Sequence, residues 1–174
     1  MNDDDPLQLS TSNQESHRSN QSVYHSTQGA QSALFAQRAF NTQEWILDFL
    51  GYDQTHADQY SIQLDEQLHR APPPSSNRLD HRYLWRFLNH SCRPNTYLKD
   101  KKLFALRSIQ KDEELTFNYL ANEWEMSTPF ECVCSHHPSR RLIRGYRFLS
   151  SRERIELAQI TPVAPYLLKL SPSS

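Results

Sequence analysis

All 19 aromatic residues of this 174-residue chain (8 Phe, 8 Tyr and 3 Trp) lie after Gln21. Residues 1–21 hold only Met1, Leu7 and Leu9 among Ser, Asn, Gln and Asp, too little apolar surface to offset the entropy of ordering. A disordered polar head is expected there. A core can form only in the roughly 150 residues that follow, which suits one domain. The whole-chain hydrophobic content of 37% is diluted by the head, so it does not signal disorder throughout.

After the head, apolar residues come in short pieces, as in a β-rich fold with few helices. Leu34–Phe35–Ala36 with Ala39–Phe40 reads as one strand and 44–50 as a second, stopped by Gly51. Tyr60, Ile62 and Leu64 alternate with polar residues, the period of a half-buried strand. Pro72, Pro73 and Pro74 exclude any ladder and mark a loop. Residues 83–88 fit a short helix or a buried strand equally well. Residues 95–109 read as a hairpin with a polar tip at 99–102, and 114–119 as a further strand. Ile155, Leu157, Ala158 and Ile160 give helical spacing over 152–160, which Pro162 and Pro165 stop before a last apolar piece at 166–168.

Charge and cysteine usage exclude several classes. A net charge of −1, from 19 basic and 20 acidic residues, argues against a nucleic-acid binder. The longest apolar run, around 45–50, is broken by Asp48 and cannot cross a bilayer. Asp3, Asp4 and Asp5 open the chain where a secretory signal would be basic and then apolar. Three cysteines, two of them flanking a single residue, do not form a disulfide framework, so a soluble intracellular protein is expected, cytoplasmic or nuclear.

Three segments carry chemistry. They are Arg86–Phe87–Leu88–Asn89–His90–Ser91–Cys92–Arg93–Pro94–Asn95, then Ile109–Gln110–Lys111–Asp112–Glu113–Glu114–Leu115–Thr116–Phe117–Asn118–Tyr119, then Phe130–Glu131–Cys132–Val133–Cys134. In this order and spacing they resemble the SET-domain methyltransferases, with a post-SET segment last. The likeness extends over about 22–150, upstream to 34–38 and 44–51 and downstream to 143–149. It implies a β-clip-like fold with knot-like threading: a SET domain at 22–126, a post-SET-like segment at 127–150, and a C-terminal helix and tail at 151–174. It also implies methyl transfer from S-adenosylmethionine to a lysine amine, on a protein substrate, by a monomer. Carried over residue by residue, it puts Asn89, His90, Ala33, Leu34 and Phe35 at the cofactor, Tyr119 at the reacting centre and Phe117 in the substrate channel.

The chain departs from the family pattern at several positions. Gln31 and Ala33, with Ser32 between, stand where the family has Gly-x-Gly, and Gly29 lies two residues too early. Asp112 replaces a turn glycine, a position aspartate tolerates, and Asn118 replaces the more common Asp. Cys92, Cys132 and Cys134 match three of four zinc positions, and Ser139 stands at the fourth. Serine is a poor zinc ligand. The alternatives are a site completed by His136 or His137, or three buried thiols without metal.

The remaining features read as surface or core. Arg140, Arg141, Arg144, Arg147, Arg152 and Arg154 suggest a solvated basic face, and Asp112, Glu113, Glu114, Glu123 and Glu125 either a solvated hairpin surface or an attractor for lysine-rich substrates. Trp85 reads as core, and His25, His56, His69 and His81 are scattered. A rival to the enzyme is a SET-like module that has lost its cofactor and serves protein interaction. The altered glycines and incomplete metal set favour the module; intact Asn89, His90 and Tyr119 favour the enzyme.

Overall fold

The computed structural model of the chain describes residues 22–28, 31–134, 136 and 141–171; the polar head, Gly29, His137 and Ser139 lie outside these. Strand β1 (Val23–Gln28) pairs antiparallel with β2 (Gln31–Ala36), with Val23 opposite Ala36. Tyr24 stacks on Phe35 across this pair, ring centres 5.5 Å apart. Ala39 and Phe40 leave the strand, and Phe40 instead bridges to Ile109. Strand β3 (Trp45–Asp48) occupies the middle of the expected 44–50 segment. Next come β4 (Tyr52–Gln54), β5 (Ile62–Asp65) and β6 (Leu68–Ala71), forming a sheet in the order β4–β6–β5. Only β5 announced itself by alternation. The other two strands of the sheet are short, and an Arg70–Asp53 ion pair of 2.5 Å joins β6 to β4.

The ambiguous 83–88 segment is helical: a 3-10 helix runs over His81–Phe87, with Asp80 capping the Arg82 N–H. It buries Tyr83, Leu84, Trp85 and Phe87, and the Trp85 indole donates to the Leu50 carbonyl at 2.9 Å, so Trp85 is core as expected. Strand β7 (Asn89–His90) follows, then the hairpin of β8 (Thr96–Lys99) and β9 (Lys102–Ala105). Asp100 and Lys101 turn this hairpin with φ of 49° and 62°, the left-handed geometry of a tight two-residue tip. Strand β3 flanks β9 on its other side. Strand β10 (Thr116–Phe117) is only the centre of the expected 114–119 strand, because Tyr119–Ala121 turns into a 3-10 helix capped by Asn118.

Strands β11 (Phe130–Cys132) and β12 (Arg141–Ile143) pair antiparallel ahead of α1 (Ser151–Ile160) and α2 (Pro165–Leu170). Ser150 and Glu153 exchange hydrogen bonds at the start of α1, a capping box that fixes where the helix begins. Pro165, read from sequence only as a stop, sits in the first turn of α2, where its missing N–H costs nothing.

Two apolar cores result. The first gathers Leu34, Ile46, Phe49, Trp85, Leu103 and Ile109, among others, and the second gathers Leu120, Ile143, Tyr146, Leu157, Tyr166 and Leu167. Tyr119 packs against both, so it stands on the seam.

The β7–β10 pairing is parallel, with Thr116 opposite Asn89 and Phe117 opposite His90. Two residues per strand cannot hold such a pairing alone. Asn95, buried to 2% exposure, supplies the rest. Its Nδ2 donates to the Glu114 carbonyl at 2.7 Å and to Glu113 Oε1 at 3.0 Å, while its Oδ1 accepts the Thr116 N–H at 2.8 Å. Asn95→Ala leaves that N–H and carbonyl buried without a partner, and is expected to cost about 2–4 kcal/mol by urea denaturation. A loss below about 1 kcal/mol would contradict the assignment.

Candidate functional site

A cleft of about 660 Å³ opens where the two cores meet. The β7–β10 pair forms one wall through Asn89, His90, Thr116 and Phe117, and Tyr119 stands at its end. Phe130, Cys132 and Cys134 bring the β11 segment to the opposite side. The first and second sequence segments therefore meet through strand pairing, and the third closes over them.

Asn89 is held from two directions. Its Nδ2 donates to the Ser32 carbonyl at 3.1 Å and to Glu114 Oε1 at 2.8 Å, tying the β2 edge to the β7–β10 wall. Of strand β2, Gln31 lines the cleft, whereas Ala33, Leu34 and Phe35 are buried and do not. Neither Gln31, Ser32 nor Ala33 has positive φ, so glycines are not required by backbone conformation. Asp112 does occupy positive φ, at 66°, as the turn there demands.

The Tyr119 hydroxyl donates to the Leu88 carbonyl at 2.6 Å. Its ring lies 4.7 Å from Phe117 and 5.8 Å from Phe130, centre to centre. Burial, then the charges of Glu123 and Glu114, push the Tyr119 pKa up, so the side chain stays a neutral phenol at physiological pH. The Tyr119 N–H donates to His90 Nδ1 at 3.2 Å, which leaves the ring proton on Nε2. Nε2 lies 3.3 Å from Cys92 Sγ, in place to donate to it.

The thiols converge. Cys92 Sγ is 3.9 Å from Cys132 Sγ, which is 3.1 Å from Cys134 Sγ. His90, Cys92 and Cys132 place their ligand atoms within 4.8 Å of one another. Burial raises the Cys92 and Cys132 thiols. Burial acts on Cys134 as well, but hydrogen bonds from the Cys132 thiol, the Cys92 backbone and His136 bring it down. A metal ion fits this set, with soft sulfur donors and a nearby imidazole. The imidazole in this cluster is that of His90; with the Tyr119 N–H on its Nδ1, Nε2 must give up its proton to bind a metal, and His136, which lies against Cys134, is a second imidazole at hand.

Two cleft residues to which the motif analysis gave no site role stand out. Arg86 lines the cleft, donates through one guanidinium nitrogen to Ser76 Oγ at 3.0 Å, and has a buried Nε without a partner. No carboxylate among the described residues pairs with it, and burial followed by Arg78 lowers its pKa. A cation so placed suits an incoming anion. Its signal in the sequence was its place inside the first motif. Glu123, read as part of an acidic surface, is 6% exposed and faces the cleft; burial raises its pKa to about 7 even though the Gln63 N–H and Asn122 amide donate to it.

The other charges are consumed within the fold. Glu113 takes Arg107, Glu114 takes Asn89, and Glu125 takes Arg147. Of the arginine group, Arg141 pairs with Glu153 and Arg152 with Glu156, while Arg144 lies over Phe148 and Arg154 over Tyr146. His25 packs on Phe87, ring centres 4.0 Å apart, and His69 is buried, both away from the cleft.

Comparison with known proteins gives a family match, the SET domain, over residues 9–120. The chain is 41% identical over 58 residues to a "Histone-lysine N-methyltransferase, H3 lysine-4 specific" of Emericella nidulans, covering 28% of this chain and 5% of that protein. It is 42% identical over 57 residues to an H3 lysine-36 specific histone-lysine N-methyltransferase of Mycosarcoma maydis, covering 28% of this chain and 6% of that one. A methyltransferase of Aspergillus flavus, flvH, is 37% identical over 65 residues, 34% of this chain and 35% of its own length. The chain thus spans only a small part of the histone-methyltransferase relatives that it matches. No helix among the described residues is long and apolar enough to cross a membrane.

The raised Glu123 pKa has a consequence for stability. The folded state holds this proton up to about pH 7, whereas the unfolded chain releases it near 4.5. Stability is therefore highest below the unfolded value and falls as pH rises through that window, by on the order of 3 kcal/mol for a shift of this size. Glu123→Gln retains the acceptor for Gln63 and cannot ionise. Thermal unfolding at pH 5 and pH 8 should show the variant gaining on the parent at the higher pH; a constant difference would contradict the assignment.

Proposed function

The chain belongs to the SET-domain family, and from that premise we propose that it transfers a methyl group from S-adenosylmethionine to a lysine side-chain amine on a protein. The observation that carries this reading is the neutral Tyr119 phenol, fixed to the Leu88 carbonyl at 2.6 Å on a cleft walled by the Asn89–His90 strand. When bound, S-adenosylmethionine supplies an electrophilic methyl group on a positively charged sulfonium. The Asn89 side chain and the His90 backbone bind the cofactor, with the edge of β2 at Gln31 beside it; Ala33, Leu34 and Phe35 support that edge from the core. Arg86, which has no carboxylate partner among the described residues, takes the cofactor carboxylate.

Tyr119 orients the acceptor. Its hydroxyl hydrogen is committed to Leu88, so its oxygen lone pairs face outward as acceptors for an amine N–H. Phe117 and Phe130 enclose the amine with aromatic faces, excluding water and aligning the lone pair for in-line displacement. Residues 22–126 act as the SET domain, 127–150 as its post-SET-like closure and 151–174 as the supporting C-terminal element. Cys92, Cys132 and Cys134 hold zinc with His136 as the fourth ligand, and the ion fastens the 130–134 segment to the cleft wall. The histone H3 specificity in the relatives' names makes H3 the first acceptor to test. A protein methylating H3 would work inside the cell, in a compartment that keeps its thiols reduced.

Tyr119→Phe is expected to keep the fold and lose at least tenfold in methyl transfer, read with radiolabelled cofactor and recombinant histone H3. Asn89→Ala and Arg86→Gln should instead weaken S-adenosylmethionine binding about tenfold or more by calorimetry. Undiminished binding in both variants removes the cofactor assignment. The metal assignment is checked by elemental analysis of protein purified without chelator. We expect one zinc per chain, lost in Cys134→Ser and reduced in His136→Ala; a metal-free wild type would leave the site as three thiols.

A further inference from the structure

Methyl transfer needs a neutral amine, yet a lysine reaches the site as an ammonium ion with a pKa of about 10.4. Something must take the proton. Tyr119 is unsuited to this, because its hydroxyl already donates to Leu88 and burial keeps it a phenol.

Asp58, Glu114, Glu123 and Glu131 are the carboxyls on the cleft. Asp58 is saturated locally, one oxygen accepting the Tyr60 N–H at 2.7 Å and the other the Gln54 amide at 2.9 Å. Glu114 is held by Asn89 at 2.8 Å. Glu131 lies on the exposed surface. Glu123 differs from all three in being buried, at 6% exposure, whereas Asp58 and Glu114 are half-buried. Its Oε1 is anchored by the Gln63 N–H at 2.9 Å and the Asn122 amide at 3.3 Å, while Oε2 takes no hydrogen bond within the described residues. Its own N–H donates to the Tyr119 carbonyl at 2.8 Å, so it sits one turn beyond the tyrosine. Behind it, the Tyr166 hydroxyl of α2 donates to the Gln63 carbonyl at 3.0 Å and also to that of Asn122, so the C-terminal helix locks the residues that aim the carboxyl. The titratable groups facing it are Tyr119 and Tyr166, with Glu114 and Asp65 beyond them; no Lys or Arg among the described residues hydrogen-bonds to it.

We propose that Glu123 is the proton acceptor for the methyl-accepting amine, its free Oε2 taking one proton from the lysine ammonium as it enters the cleft beside Tyr119. The inference rests on the methyltransferase reading above. The proton moves from nitrogen to Oε2, giving a neutral amine and a carboxylic acid. The amine lone pair then bonds to the methyl carbon as the carbon–sulfur bond of the sulfonium breaks with its electron pair left on sulfur; the products are a methylammonium ion and a neutral thioether, and Glu123 returns its proton to solvent. An unpaired buried carboxylate also favours a cationic acceptor over a neutral one. A Glu123 pKa near neutrality matches this task, low enough to be ionised at cellular pH and high enough to hold the proton.

Glu123→Gln tests the proposal, because the amide oxygen still accepts from Gln63 and the fold is retained. Single-turnover transfer from radiolabelled S-adenosylmethionine to recombinant histone H3 is measured from pH 5.5 to 10 for both proteins, with cofactor affinity measured alongside by calorimetry. The expected result is unchanged cofactor affinity and a rate reduced about 100-fold at neutral pH. The acid limb near pH 7 in the wild type should vanish, leaving a rate that climbs with pH as the lysine deprotonates in solution. A residue that only supports the fold would lower the rate equally at every pH, and that result overturns the proposal, as does a variant matching the wild type throughout. A wild type that labels no H3 lysine overturns the methyltransferase reading and this proposal with it. The two failures are distinguished by whether the wild type is active.

Discussion

The primary amide of Asn95 is the constraint from which the site follows. It meets the Thr116 N–H, the Glu114 carbonyl and the Glu113 carboxylate from one buried position. Those three contacts hold the 113–116 segment against the loop that leaves β7. The short parallel pair of β7 and β10 depends on them, since its own two residue pairs are too few to be stable. Asn89, His90, Phe117 and Tyr119 inherit their positions from that pairing.

Tyr119 converts the pairing into a site. It is the residue where the first core ends and the second begins, and its hydroxyl returns to the Leu88 carbonyl just before β7. The cleft lies beside this seam. The second core then brings Cys132 and Cys134 to Cys92, and β11 over the open side.

Charge placement follows the same economy. The acidic and basic runs that suggest interaction surfaces are mostly neutralised inside the chain, as in the Arg107–Glu113, Arg147–Glu125 and Arg141–Glu153 pairs. Among the described residues on the cleft, Arg86 keeps a buried Nε without a partner, and the buried Glu123 keeps an Oε2 that takes no hydrogen bond. One suits an anion and the other a cation, which is the pair of charges that a carboxylate-bearing cofactor and an ammonium-bearing acceptor bring.

The strands with alternating or continuous apolar residues, the hairpin at 95–109 and the helix at 152–160 were legible in the sequence, because burial on one face imposes a period on the chain. The motif residues were legible for another reason: side-chain chemistry at fixed spacing survives without any knowledge of the fold. Strands β4 and β6 were not, since three or four residues are too few to show a period; β6 pairs because β5 offers it an edge, and β4 because β6 does. Pro165 could not be told from a helix stop, because proline serves both ends equally. Nor could the roles of Arg86 and Glu123. Both are charged residues in charged surroundings, and only burial, together with the absence of a partner in three dimensions, separates them from a solvated surface. By itself the sequence determined which side chains stand at the motif positions; the tertiary structure alone decided which charges and lone pairs remain free, because that depends on neighbours distant along the chain.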